Sequence, residues 1–189
     1  MRFQINDTVF ENFPELESNR LLYRNFNAGD AADLFYLKTD ARVMAHMDSN
    51  KHESINDSLE AIKRNQDSFK DKTGINWAIV DKATNEFIGY FGYWRFFREN
   101  CRGEIGYSLK PEFWGKGFMT EAMTRLIAFG FEDLNLHSIE ANINPNNANS
   151  EKLLVNFGFK KEAHFRENYL FNGQFLDSII YCLLESDLK

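Results

Sequence analysis

A chain of 189 residues with a formal net charge of −6 and no Lys/Arg block lacks the basic stripe that supplies most nucleic-acid affinity, so no nucleic acid is expected as a partner. No apolar run approaches the ~20 residues needed to cross a bilayer, and no membrane association is expected. Cys101 and Cys182 are the only cysteines; they make no disulfide framework, and without a Cys-x-x-Cys or His-rich spacing no metal is expected.

The first strand pattern covers residues 20–26, with Leu22 and Phe26 among its apolar positions. Residues 30–38 read as a short helix, 42–46 as a further helical turn, and 54–70 as a helix with Ser54 or Asp57 as cap and Leu59, Ile62 and Phe69 inward. From Asn76 the period changes. Strands are expected over 77–80, 87–97 and 102–109, joined by polar turns at 82–85 and at Glu99-Asn100, as an antiparallel meander. An amphipathic helix follows over 117–131, with Met119, Ala122, Met123, Leu126 and Ile127 on one face. A strand over 138–143, a helix over 150–157 with Gly158 as its left-handed cap, and strands over 165–171 and 176–184 joined at Asn172-Gly173 complete the chain. The fold class is α/β (α+β): a mixed, mostly antiparallel central sheet of about seven strands flanked by helices, in the order β-α-α-β-β-β-α-β-α-β-β.

The length fits one domain over 1–189. Residues 1–13 lack the apolar core of a secretion signal, so a cytoplasmic location is expected. The acidic balance suits cationic partners such as amines or basic polypeptide tails.

The most informative stretch is 104–120, where a strand stops at Pro111 and a loop with Gly115 and Gly117 opens directly into a helix. Unpaired N–H groups and the positive end of the helix dipole coincide there, which is a phosphate-binding arrangement. The spacing is wrong for a P-loop. A dinucleotide fingerprint is closer, with Glu140 about 20 residues after the glycines. Against it stand Thr120 at the third glycine position, the bulky 111–114 segment, and the preceding meander.

These residues resemble motif A of the GCN5-related N-acetyltransferase (GNAT) superfamily, in its ribosomal-protein N-terminal acetyltransferase (Rim-type) branch. Glu17-Ser18-Asn19-Arg20-Leu21-Leu22-Tyr23-Arg24 is similar to that branch's opening strand. Asn76-Trp77-Ala78-Ile79-Val80, Ile88-Gly89, Glu104-Ile105-Gly106-Tyr107, Trp114-Gly115-Lys116-Gly117-Phe118-Met119-Thr120-Glu121-Ala122, Asn144-Pro145-Asn146-Asn147-Ala148-Asn149-Ser150 and Phe157-Gly158-Phe159 follow in the branch's order. Two positions depart from it: Glu112, where the family often has Gln or Arg, and Asn149, where the branch has a small residue or proline. Glu112 would repel a pyrophosphate and is expected to face solvent.

The resemblance implies an acetyl-CoA-dependent N-acetyltransferase acting on a primary amine, either a protein N-terminus or a small molecule, as a monomer or homodimer. Acetyl-CoA would be the co-substrate, with its pyrophosphate on Gly115, Lys116, Gly117, Phe118, Met119 and Thr120. Its pantetheine arm would lie along Tyr107, Ser108, Leu109 and Lys110, where the strand splays from the one around Ile139. Asn147 would bond the pantetheine amides, Lys152 a phosphate. Glu104 is the candidate base through water, Ser150 the candidate donor to the leaving thiolate, and Tyr107 a third catalytic candidate. Other readings remain: Ser150 as a helix cap, Asn147 as a turn residue, Lys152 as a solvated lysine. The four histidines are read as ordinary surface or loop residues. A non-catalytic acyl-CoA-binding module and a nucleotide-binding oxidoreductase are the rival functions.

Overall fold

The computed structural model describes residues 4–188; the first three residues of the segment read for a secretion signal lie outside the described residues. One sheet of eight strands runs through it, in the spatial order β1-β2-β3-β4-β5-β6-β8-β7. These are β1 (Leu16–Glu17), β2 (Leu21–Arg24), β3 (Ile75–Asp81), β4 (Glu86–Phe97), β5 (Arg102–Leu109), β6 (Ser138–Ile143), β7 (Lys160–Phe171) and β8 (Gln174–Leu184). Five α-helices flank it: α1 (Ala31–Thr39), α2 (Ala41–Met44), α3 (Ile55–Lys70), α4 (Phe118–Glu132) and α5 (Ala148–Asn156).

The meander is as its pattern requires, with β2, β3, β4 and β5 paired antiparallel in turn. Side chains on β3 alternate between two cores. Trp77 and Ile79 enter the larger, which α4 covers through Ala122, Met123, Leu126 and Ile127. Ala78 enters the smaller, with Phe26, Leu34, Ile62 and Phe87. Trp77 meets Phe129 of α4 edge-on at 5.1 Å, and its indole N–H donates to the Pro14 carbonyl at 2.8 Å. The chain has 19 phenylalanines, and aromatic contacts of this kind place several of them in the core. Gly130 lets α4 lie close to the sheet: a Cβ there would stand 2.1 Å from the Tyr93 hydroxyl, which donates to the Leu126 carbonyl at 2.9 Å.

Among the described residues only β5 and β6 pair in parallel, and α4 supplies the crossover that a parallel pair needs. Their ladder runs from Arg102↔Ser138 to Ile105↔Ala141 and stops. Both strands continue, β5 to Leu109 and β6 to Ile143, so they part there and open a wedge.

Four details differ from the sequence expectation. Strand β1 is too short to leave a period. Strand β7 begins at Lys160, five residues early, because it is the sheet edge, where Lys160, Lys161 and Glu162 stay exposed and no apolar alternation develops. In α3, Leu59 faces outward at 38% exposure while Ser58 is fully buried, its hydroxyl bonded to His52 Nδ1 at 2.8 Å. Helix α5 starts at Ala148, with Asn147 as its cap. The other caps and the hairpin turn match their sequence: Ser54 is the α3 cap, with Asp57 accepting from its N–H at 2.9 Å, Gly158 has φ 95°, and Asn172 and Gly173 of the turn are both left-handed.

Candidate active site

Two cavities meet at the wedge. One, of about 760 Å³, runs from the α4 N-terminus past β5 to α5. The other, of about 870 Å³, lies between α1, α3, the 46–52 loop and the outer parts of β4, β5 and β6. His46, Met47, Tyr107, Asn147 and Ser150 line both.

The first cavity is built around the glycine loop. Gly115 and Gly117 have φ of 70° and 78°, a region glycine enters without the Cβ penalty. A Cβ at Gly115 would meet nothing within 4 Å, so that edge of the loop is open. The first helical hydrogen bond runs from the Glu121 N–H to the Gly117 carbonyl at 3.0 Å. The N–H groups of Phe118, Met119 and Thr120 therefore have no acceptor within the helix, and these residues line the cavity. A cradle of backbone donors at a helix N-terminus fits a pyrophosphate.

Neighbouring side chains fix the loop. The Trp114 indole donates to the Leu109 carbonyl at 2.8 Å, tying the loop to the end of β5. Arg20 Nη1 donates to the Lys116 carbonyl at 3.1 Å, its guanidinium lies 4.2 Å from the Phe118 ring centroid, and its Nε bonds Glu121 at 2.6 Å. Burial works against charge on Glu121, yet Ser18 and Arg20 hold its carboxyl below the usual range. Arg20 and Glu121 both sit inside the recognised motifs, but periodicity and spacing gave no sign that they meet.

The expected coenzyme residues divide. Ser108, Leu109, Gly115, Gly117, Phe118, Met119, Thr120, Asn147, Ser150 and Lys152 line the first cavity. Lys116 does not: its ammonium is held 5.7 Å over the Phe113 ring. Lys110 corrects the expectation most clearly. Only 5% exposed, its ammonium bonds Asp33 at 2.9 Å and Glu86 at 2.8 Å, because alternation along β5 turns it to the α1 side of the sheet. Glu112 is directed at Tyr36, whose hydroxyl donates to it, and at Arg42. It thus avoids the loop by pairing with α1 and α2 as well as by facing solvent.

The junction holds two of the three catalytic candidates. The Tyr107 and Ser150 hydroxyls are 2.5 Å apart. Asn147 Oδ1 accepts from the Ser150 N–H at 3.1 Å, so capping falls to Asn147 and leaves the Ser150 hydroxyl to Tyr107. Burial pushes the Tyr107 phenol up to about 12, so it stays protonated at neutral pH. Glu104 lines the second cavity at 5% exposure. Burial first, and the Glu140 carboxylate second, push its carboxyl up to about 7, against a pull from Arg95 and Arg102. Glu140, the residue that a dinucleotide site would need for a ribose, accepts instead from Arg102 at 2.9 Å.

In the second cavity, Tyr90 and Trp94 form part of the wall while Tyr93 is core. His46 and His52, read as ordinary surface or loop residues, both line it. His46 Nδ1 is buried with no hydrogen-bond partner among the described residues, and the sequence pattern gave no sign of this. Tyr169 of β7 closes one side by donating to Asp48, which also accepts from Asn144 Nδ2 at 3.2 Å.

A wedge between two parallel strands, with a donor cradle at one end and an ionisable pocket at the other, suits a ligand that carries a phosphate and reaches toward a titratable group. The chain matches the family model described as "Acetyltransferase (GNAT) domain" over residues 20–160. It is 32% identical over 173 residues to the uncharacterized N-acetyltransferase YoaA of Bacillus subtilis, covering 92% of this chain and 98% of that protein. It is 30% identical over 119 residues to the [ribosomal protein uS5]-alanine N-acetyltransferase of Escherichia coli, covering 62% of this chain and 61% of that one. The solved structure of RimL, a ribosomal L7/L12 α-N-protein acetyltransferase in complex with coenzyme A, shares the fold with a TM-score of 0.82 at 18% identity, over 90% of this chain and 98% of that chain. The chain belongs to the GNAT acetyltransferase family and is an N-acetyltransferase, similar to the ribosomal-protein acetyltransferases within it. Among the described residues no group of His, Cys, Asp or Glu is placed to hold a metal ion, and no helix is long and apolar enough to cross a membrane.

Proposed function

We propose that this N-acetyltransferase takes its acetyl group from acetyl-CoA and passes it to a primary amine by direct attack on the thioester. The observation that carries the reading is the meeting of the two cavities at Tyr107 and Ser150, with Glu104 on one side and the glycine loop on the other. The pyrophosphate rests on the loop, the pantetheine follows β5 into the wedge, and the amine enters through the second cavity.

Chemistry at the junction divides among few groups. The amine nitrogen forms a bond to the thioester carbon, and the carbon–sulfur bond breaks. Glu104 receives the amine proton through water; a carboxyl poised near 7 suits that task at neutral pH. A β5 backbone N–H faces the developing oxyanion. The thiolate takes its proton from the Tyr107–Ser150 pair, with the protonated phenol as the reservoir. A relative named as a [ribosomal protein uS5]-alanine N-acetyltransferase supports an amine acceptor of this class.

The test is a thermal-shift titration followed by an amine panel read by release of free CoA thiol. Acetyl-CoA raises the melting temperature by mass action and NAD does not, and at least one amine gives turnover. Stabilisation by acetyl-CoA without turnover on any amine would favour the binding-module reading. Stabilisation by NAD alone would end both.

A further inference from the structure

Charge in the second cavity is distributed against the expectation drawn from the acidic composition. Lys38, from the last turn of α1, is half-buried in its wall. Its ammonium meets only soft partners, the Met47 sulfur at 3.5 Å and the Tyr90 ring with its centroid at 5.4 Å. No carboxylate among the described residues lies within ion-pair distance of it. An ammonium without an anionic partner is free to make a charge-assisted contact with an arriving anion.

Other charges reinforce it. Lys51 and Arg64 stand on the same cavity, and Arg64 has only a 3.7 Å contact with exposed Glu60. The cavity's carboxylates are already engaged. Asp57 accepts from the Glu53 and Ser54 backbone, and Asp48 accepts from Tyr169 and Asn144. His52 registers the result: burial first, then the positive charge of Lys38, hold its imidazole below the usual value, Asp57 opposing and Arg64 adding to the effect. Glu104, the remaining acid, sits at the β5–β6 end, by the junction.

We infer that the acceptor is a primary amine carrying an anionic group, a carboxylate or phosphate, with its amine at Glu104 and its anion on Lys38, rather than a polyamine or other wholly cationic substrate. This rests on the acetyl-transfer reading of the same site. A cavity of about 870 Å³ suits a small molecule or the first residues of a peptide. The source of the anion is a separate question that the experiment's arms divide.

The test compares matched acceptors by CoA-thiol release: ω-amino acids of three to seven carbons, their amides, and the corresponding diamines. A second arm uses peptides beginning Ser-Glu, Ser-Gln and Ser-Lys. In at least one arm the acidic member leads its amide by about tenfold or more in kcat/KM, the size of a charge-assisted contact, and the arm in which it leads names the source. The lead falls as salt is raised. Lys38→Gln removes the lead through KM, Lys38→Arg restores it, and Arg64→Gln weakens it; acetyl-CoA titration of each variant verifies that it is folded. Preference for diamines or Ser-Lys, or a lead that survives Lys38→Gln, overturns the inference while leaving acetyl transfer intact. Failure of every amine in the presence of tight acetyl-CoA binding overturns both.

Discussion

The hydroxyl of Tyr107 lies 2.5 Å from that of Ser150, and this contact joins β5 to the first turn of α5 across the mouth of the wedge. Since burial holds the phenol at about 12, the pair carries a proton at neutral pH. Tyr107→Phe and Ser150→Ala are each expected to lower kcat by about 10- to 100-fold with little change in the dissociation constant for acetyl-CoA. The double variant should cost scarcely more than the worse single one, as for groups acting as a unit. Additive losses measured in single-turnover reactions would separate the two roles.

Glu104 gives a pH prediction with a definite sign. Its carboxyl is pushed from 4.5 to about 7, so the base form grows as pH rises through 7 and activity rises with it. Glu104→Gln should remove that limb of the pH–rate profile and slow turnover about a hundredfold. Stability moves the other way. Between pH 4.5 and 7 the folded chain keeps a proton that the unfolded chain has released, so stability declines as pH rises across that window. The decline is on the order of 3 kcal/mol at most, and Glu104→Gln should flatten it in urea titrations at pH 5 and pH 8.

Gly117→Glu should abolish acetyl-CoA binding by placing bulk and negative charge at the loop. Gly117→Ala separates strain from charge. A Cβ at Gly117 meets only Arg20 Nη2 at 3.6 Å, so the alanine variant bears the left-handed backbone penalty of about 1 kcal/mol and should still bind. Micromolar binding by the glutamate variant, measured calorimetrically, would place the phosphates elsewhere.

Lys110→Met tests the reassignment of that lysine. Loss of its bonds to Asp33 and Glu86 should cost about 2 kcal/mol and lower the melting temperature by several degrees. Affinity for acetyl-CoA should not change. A tenfold weaker dissociation constant would return Lys110 to the coenzyme site.

The meander, the α4 face and the glycine loop were legible because each is written in local spacing. The Asn172-Gly173 turn and Gly158 declare their backbone geometry by residue type. Less was legible where tertiary geometry decides. Lys110 sits one residue past a strand that ends in the right place, and its direction follows from strand alternation, which motif matching ignores. Leu59, expected inward, yields the buried position to Ser58, whose hydrogen bond to His52 lets a serine be buried. The Arg20–Glu121 clamp spans a hundred residues, and His46 reaches the junction from a loop without a period.

Beyond Ile105 the β6 side of β5 has no neighbouring strand. On the proposed reading one substrate is gripped there by main-chain groups that every amino acid except proline presents identically. The other substrate is met mainly by side chains from α1, α3 and the 46–52 loop. Donor recognition is thereby insulated from side-chain drift, and a new acceptor preference can arise by substitutions that never touch the strand holding the thioester.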